Sequence, residues 1–184
     1  MFSCKLSHEA ELRPLIYDDV EDLFELTNSN CNYLKVWLPW VNDNMTIEDT
    51  RCFIESTFIQ ASKDNGFQAA IWFESKLVGI IGHHAVNRSH QSTSLGYWLG
   101  EEFQGRGLMT LACREFTRYS IEVMKMNRVE IKCAVGNFKS RAIPERLGYK
   151  MEGTLRAVEK LSKGFVDHVV YSMLASDWES MKSL

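Results

Sequence analysis

Two segments of this chain combine residue types and spacing that can hold and handle a charged ligand. The first, Y-W-L-G-E-E-F-Q-G-R-G-L-M-T over residues 97–110, runs from strand-forming residues through a glycine turn into helix-forming ones. Successive backbone N–H groups at a helix N-terminus form an anion site, and glycine lets a phosphate come close to the backbone. Arg106 adds a fixed positive charge. The second, V-G-N-F-K-S-R-A-I-P-E-R-L-G-Y over residues 135–149, delivers Asn137 from a strand end and Ser140 one turn into a short helix.

The glycine segment departs from two familiar phosphate loops. Gly100 and Gly105 have the spacing of a nucleotide-hydrolase loop, but Arg106-Gly107 stands where lysine and a magnesium-binding hydroxyl are needed. A dinucleotide fingerprint would need a third small residue, and Thr110 takes that place; Glu130 falls in mid-strand rather than at a strand end. The plain alternative is that Gly105-x-Gly107 is only a tight strand-to-helix connection.

The elements that must position these segments follow from patterning. Residues 11–16 read as a first strand. Asp18 or Asp19 then caps a helix with Val20, Leu23, Phe24 and Thr27 at helical spacing. After an Asn- and aromatic-rich loop, Thr46 and Asp49 have capping-box spacing for a second helix carrying Ile54, Phe58 and Ala61 on one face. Three strands are expected at 67–73, 77–85 and 92–99, the first two joined by a Glu74-Ser75-Lys76 turn. A helix follows Gly107 with Leu111, Ala112, Glu115, Phe116 and Tyr119. A strand at 128–135 leads to a short helix that contains Pro144 and ends at Gly148. Two last strands, 149–161 and 165–174, flank a Ser162-Lys163-Gly164 turn. The order predicts a mixed α/β sheet.

Taken together, Q-G-R-G-L-M-T and G-N-x-x-S-R-A-x-P-E-R-L-G-Y resemble the GNAT superfamily of acetyl-coenzyme A-dependent N-acetyltransferases. More narrowly they resemble the ribosomal-protein N-terminal acetyltransferases of the RimJ/RimL type. An early W-L-P-W and the late E-G-x-x-R and D-x-V-x-Y-S-M-L runs agree in order and spacing, so the resemblance covers nearly the whole chain. It implies one α/β (mixed α+β) GNAT domain over residues 1–184. Its twisted, mostly antiparallel sheet would have about seven strands flanked by about four helices, with two splayed strands forming the acetyl-CoA cleft.

The resemblance also implies roles. The pyrophosphate of acetyl-CoA would lie on Gln104, Gly105, Arg106, Gly107, Leu108 and Met109, where Met109 replaces the usual small residue and is expected to alter the loop's shape. Trp98, Leu99 and Gly100 would pair their backbone with the pantetheine arm as an added strand. The Leu99 N–H is the candidate for polarising the thioester carbonyl. Asn137 would hydrogen-bond the pantetheine, and Ser140 would protonate the departing thiolate; the alternative for Ser140 is a helix cap. Lys139 and Arg141 are candidates for the phosphates of coenzyme A. Glu159 matches the position of the family's base, and otherwise is an exposed strand carboxylate. Tyr171 is an alternative acid or a packing residue. Trp37, Leu38 and Trp40 either grip the acceptor or plug the core.

An α-amine with a pKa of about 8 is neutral in roughly one molecule in ten at pH 7, so a modest base suffices for an N-terminal acceptor. The resemblance implies that the acceptor is the N-terminus of a ribosomal protein. The rivals are a small amine (polyamine, antibiotic or amino acid) and a non-catalytic acyl-CoA-binding regulator. The family resemblance also allows a homodimer.

Composition bounds the partners. The 184 residues carry a net charge of −3 and offer no basic face for nucleic acid or an anionic membrane. The start of the chain lacks the apolar run of a secretory signal, and no stretch approaches a spanning helix. Cys4, Cys31, Cys52, Cys113 and Cys133 are scattered and odd in number, which suits reduced thiols in a cytoplasmic protein. His83 and His84 are neighbours on a strand and point to opposite faces, so no metal site is expected.

Overall fold

The computed structural model describes residues 3–182; Met1 and Phe2 of the N-terminal stretch lie outside it. The described residues form eight strands: β1 (Cys4–Lys5), β2 (Ala10–Pro14), β3 (Gln68–Phe73), β4 (Lys76–Asn87), β5 (Ser92–Leu99), β6 (Arg128–Ala134), β7 (Lys150–Leu161) and β8 (Gly164–Leu174). They also form six α-helices: α1 (Val20–Ser29), α2 (Cys31–Leu34), α3 (Ile47–Ser62), α4 (Leu108–Arg118), α5 (Phe138–Arg146) and α6 (Ala175–Lys182). The α/β class is as expected, while the counts exceed the seven strands and four helices anticipated. The extra elements β1, α2 and α6 are short, and short elements carry little periodicity to read.

One sheet runs in the order β1-β2-β3-β4-β5-β6-β8-β7, antiparallel throughout except for the β5–β6 pair. A parallel pair needs a crossover, and the segment containing α4 supplies it. Fully buried Leu12, Ile71, Ile81, Phe116, Val129, Ile131 and Met173 anchor one continuous core.

Local chemistry explains most boundaries. Glu74 and Ser75 both take positive φ, giving the tight β3–β4 turn. At the start of α3, Thr46 Oγ1 accepts from the Asp49 N–H and the Asp49 carboxylate accepts from the Thr46 N–H, the reciprocal cap its spacing predicts. The inward face of α3 is Thr50, Ile54 and Thr57, with Phe58 half-buried; Ala61 is exposed, contrary to expectation, and it is Gln60 that ties the last turn to the sheet, through His83 O and Gln68. Asp19 precedes α1, but its carboxylate accepts from the Ile16 N–H and pairs with Arg13 rather than capping the helix.

Candidate active site

The cleft is a consequence of strand pairing. The β5–β6 ladder stops at Leu95 and Ile131, while β5 stays with β4 as far as Leu99 and β6 stays with β8 as far as Ala134. Held by different neighbours, the two parallel strands diverge. The Gly100 N–H donates to Val78 O at 2.8 Å, turning that peptide toward β4. Peptides alternate sides along a strand, so the N–H groups of Leu99 and Tyr97 face the open side. Side chains alternate as well: Tyr97 reaches α5, whereas Trp98 meets Trp40 on the opposite face at 6.3 Å between ring centroids.

At the mouth of this cleft, Gly105 and Gly107 have φ of 74° and 77°, and Gly107 is the residue before α4. A Cβ built on either would meet no protein atom within 4 Å. The backbone conformation therefore demands glycine, and the space above it is open, as an approaching phosphate requires. Leu108 and Met109 bury their side chains and present only backbone outward. The shape change expected from Met109 is thus absorbed in the core beneath the loop. Gln104 does not point its amide at a ligand: it donates to the Tyr33 hydroxyl and accepts from Lys139 Nζ at 2.8 Å, tying the loop to α5. Lys139 accordingly stands beside the loop. Arg141 does not; it donates to the Tyr171 hydroxyl at 3.1 Å and Val135 O at 2.9 Å.

These residues fit the diphosphate of coenzyme A, through an open glycine turn, helix N–H groups and cations at its rim. Gly107→Ala is expected to weaken acetyl-CoA binding about tenfold, from about 1–2 kcal/mol of left-handed strain together with the methyl in the open space. Calorimetric titration with acetyl-CoA checks this, and an unchanged Kd would refute it.

On the β6 side, the Asn137 side chain accepts from the Ser140 N–H at 3.2 Å. Asn137, and not Ser140, is therefore the cap of α5, which leaves the Ser140 hydroxyl free of capping. Its Oγ lies 3.2 Å from Cys133 Sγ and 3.4 Å from the Tyr97 hydroxyl, while that hydroxyl donates to Ser140 O at 3.0 Å. Burial raises the Tyr97 and Cys133 pKa values, so the cluster stays protonated at neutral pH and can supply a proton. Sequence reading missed Tyr97 and Cys133; alternation along β5 and β6 was their only sequence signal.

A cavity of about 1100 Å³ joins this cluster to the aromatic loop between α2 and α3. Trp37, Leu38 and Trp40 line it, and Trp37 reaches across toward Gly136, 3.5 Å from where a Cβ there would sit. None of the three is fully buried, and Trp40 is 49% exposed, so they do not plug the core. On the far wall, β7 bulges between Leu155 and Glu159, with Ala157 at φ 49°. Glu159 pairs with Val166 across the hairpin, and His168, two residues further along the same face of β8, places its Nε2 3.1 Å from Glu159 Oε2. Sequence reading missed His168 because the contact depends on the register of the hairpin. Tyr171 is buried and hydrogen-bonded to Glu145 and Arg141, away from the cavity.

His83 and His84 do face opposite ways. His83 is buried, with desolvation holding its imidazole at about 4; it accepts from the Phe67 N–H and bonds the Ser120 hydroxyl at 3.0 Å. Among the described residues no group of three or more His, Cys, Asp or Glu side chains is arranged to hold a metal ion.

A glycine-opened helix at the mouth of a splayed strand pair, with a protonated hydroxyl cluster inside, defines an acyltransferase that draws its acyl group from a coenzyme A thioester. Comparison with known proteins agrees. The chain belongs to the acetyltransferase (GNAT) domain family, whose pattern matches residues 10–150. It is 36% identical over 183 residues to the "Putative ribosomal N-acetyltransferase YdaF" of Bacillus subtilis (strain 168), covering 99% of this chain and 100% of that one. It is 26% identical over 170 residues to the ribosomal-protein-serine acetyltransferase of Escherichia coli (strain K12), covering 92% and 95%. Among solved structures, the microcin C7 self-immunity acetyltransferase MccE, in complex with acetyl-CoA and AMP, superposes with a TM-score of 0.86. That pair is 28% identical, with coverage of 92% of this chain and 94% of the other. The protein is an acetyl-CoA-dependent N-acetyltransferase. Among the described residues no helix is long and apolar enough to cross a membrane.

Proposed function

We propose that the protein transfers an acetyl group directly from acetyl-CoA to the N-terminal α-amine of a ribosomal protein, in the cytoplasm. The observation that carries this reading is the cavity running from the β5–β6 cleft to the aromatic loop of Trp37, Leu38 and Trp40, with the Glu159 carboxylate on its far wall. A chain end can enter between aromatic side chains while its ammonium meets an anion. The relatives named for ribosomal substrates support the same acceptor.

In this mechanism the N–H groups of the glycine turn hold the diphosphate, and the Leu99 N–H polarises the thioester carbonyl. Glu159, through water, takes the first proton of the ammonium, and Ser140 protonates the departing thiolate. Glu159→Gln is expected to lower kcat about 10²-fold and to shift its pH profile. An unchanged kcat and profile would remove Glu159 from this role.

A small amine is the second reading, favoured by a likeness, 23% identical over 154 residues, to the spermidine N(1)-acetyltransferase of Escherichia coli (strain K12). Steady-state thiol release from acetyl-CoA, comparing ribosomal N-terminal peptides with spermidine and aminoglycosides, separates the two. Peptides should give the higher kcat/KM; small amines outperforming every peptide would overturn the ribosomal assignment. Acetyl-CoA binding without turnover on any amine would indicate a regulator.

A further inference from the structure

Direct transfer leaves one proton without a taker. An ammonium must lose two protons to become an amide, and the leaving thiolate needs only one. Glu159 receives the first and Ser140 supplies the sulfur, so a second acceptor is required next to the reacting nitrogen.

His84 occupies that position. It is the extra residue at the bulge of β4, where His83 pairs with Leu95 and Ala85 with Ser94. Its ring fills the space left by Gly96: a Cβ built there would fall 1.7 Å from His84 Nε2 and 2.3 Å from Cδ2. The imidazole therefore packs against the backbone of β5 at Gly96, with Nε2 nearest it, on the same face as Trp98. It lines the cavity shared by Ser140 and Glu159. His83 has both ring nitrogens engaged by protein, whereas His84 makes no hydrogen bond to another described residue.

We propose that His84 is a further catalytic residue, the acceptor of the amine's second proton. As the N–C bond forms and the thioester C–S bond breaks, that proton passes to the His84 imidazole and on to solvent. The Ser140 proton passes to sulfur and is replaced from solvent. Two protons leave the amine, one ends on the thiol and one in water, so the account balances. The proposal rests on the direct-transfer reading above.

His84 is exposed to solvent on one side, but desolvation of its ring lowers its pKa below the ordinary value, and the Glu159 charge opposes this. The imidazole is then neutral, and able to accept, at pH 7. The other titratable groups lining the cavity are Asp49 and Cys52 from α3, His83 from β4, Tyr97 from β5, Lys132 and Cys133 from β6, Glu159 from β7 and His168 from β8.

The test compares the wild type with His84→Gln and Gly96→Ala for kcat between pH 5 and 9 (about the span over which histidine titrates) and for acetyl-CoA Kd by calorimetry. In the wild type, kcat should rise through the His84 titration and then level off. His84→Gln should abolish that limb and lower kcat about 10²-fold, with Kd unchanged. Gly96→Ala, which pushes the ring off β5, should lower kcat while the imidazole is still present. The NMR titration of the wild-type His84 ring must match the kinetic limb; a mismatch overturns the proposal even if the variants misfold. Wild-type kcat in His84→Gln, or a loss explained wholly by weaker acetyl-CoA binding, overturns it too. A wild type that releases no thiol with any amine overturns the direct-transfer reading, and this inference with it.

Discussion

Ser140→Ala is expected to reduce kcat by about 10²-fold while leaving acetyl-CoA affinity within a few-fold of the wild type. The hydroxyl is free of capping because Asn137 fills that role, so its removal does not unravel α5. What disappears is the group to which the proposed mechanism gives the protonation of the departing thiolate. Tyr97 and Cys133 stay in place, 3.4 and 3.2 Å from the lost oxygen. Their raised pKa values keep them protonated, so the residual rate reports how well they substitute. The expected signature is a fall in kcat and kcat/KM together, the mark of an interaction made only in the transition state. A thioester with a better leaving group should recover part of the loss. A full wild-type kcat in this variant would transfer the proton donor's role to Tyr97.

Phe116→Ala is expected to cost about 3–5 kcal/mol of stability. Phe116 is fully buried on α4, with ring centroids 5.0 Å from Phe67 and 5.3 Å from His83. It lies two turns beyond the glycine loop and fixes the helix that presents the phosphate site. Rigid neighbours from β4 and α4 cannot collapse into the vacated space, so the cavity persists. Domains of this kind have about 5–15 kcal/mol in all, so the variant should approach the threshold of folding at 37 °C. Urea unfolding at 25 °C measures the loss, and a cost under about 1 kcal/mol would show that the site collapses readily.

Much of the fold was legible because its signals are local. The Thr46–Asp49 cap, the Glu74-Ser75 turn, the β-strand alternation and the positive-φ glycines before α4 each depend on residues a few positions apart. The α/β class follows from their order. Errors fell where local signals are weak: α6 buries only Trp178 among its eight residues, and Ala61 at the end of α3 is exposed while the polar Gln60 makes that turn's contact with the sheet.

The candidate site divides along the same line. Sequence by itself determined the glycine turn, Asn137 and Ser140, since each belongs to one continuous strand-to-helix segment whose backbone conformation its own residues dictate. Tertiary structure alone decided which side chains share the cleft. Tyr97 meets Ser140 from 43 positions away, and His168 reaches Glu159 through the register of the β7–β8 hairpin. His84 lies on β5 only because Gly96, opposite it, has no side chain. The physical reason is that pairing register, and the points where pairing stops, depend on the neighbours of every strand. The β5–β6 ladder ends at Leu95 because β4 and β8 pull its strands apart, and no residue of either strand encodes that divergence alone.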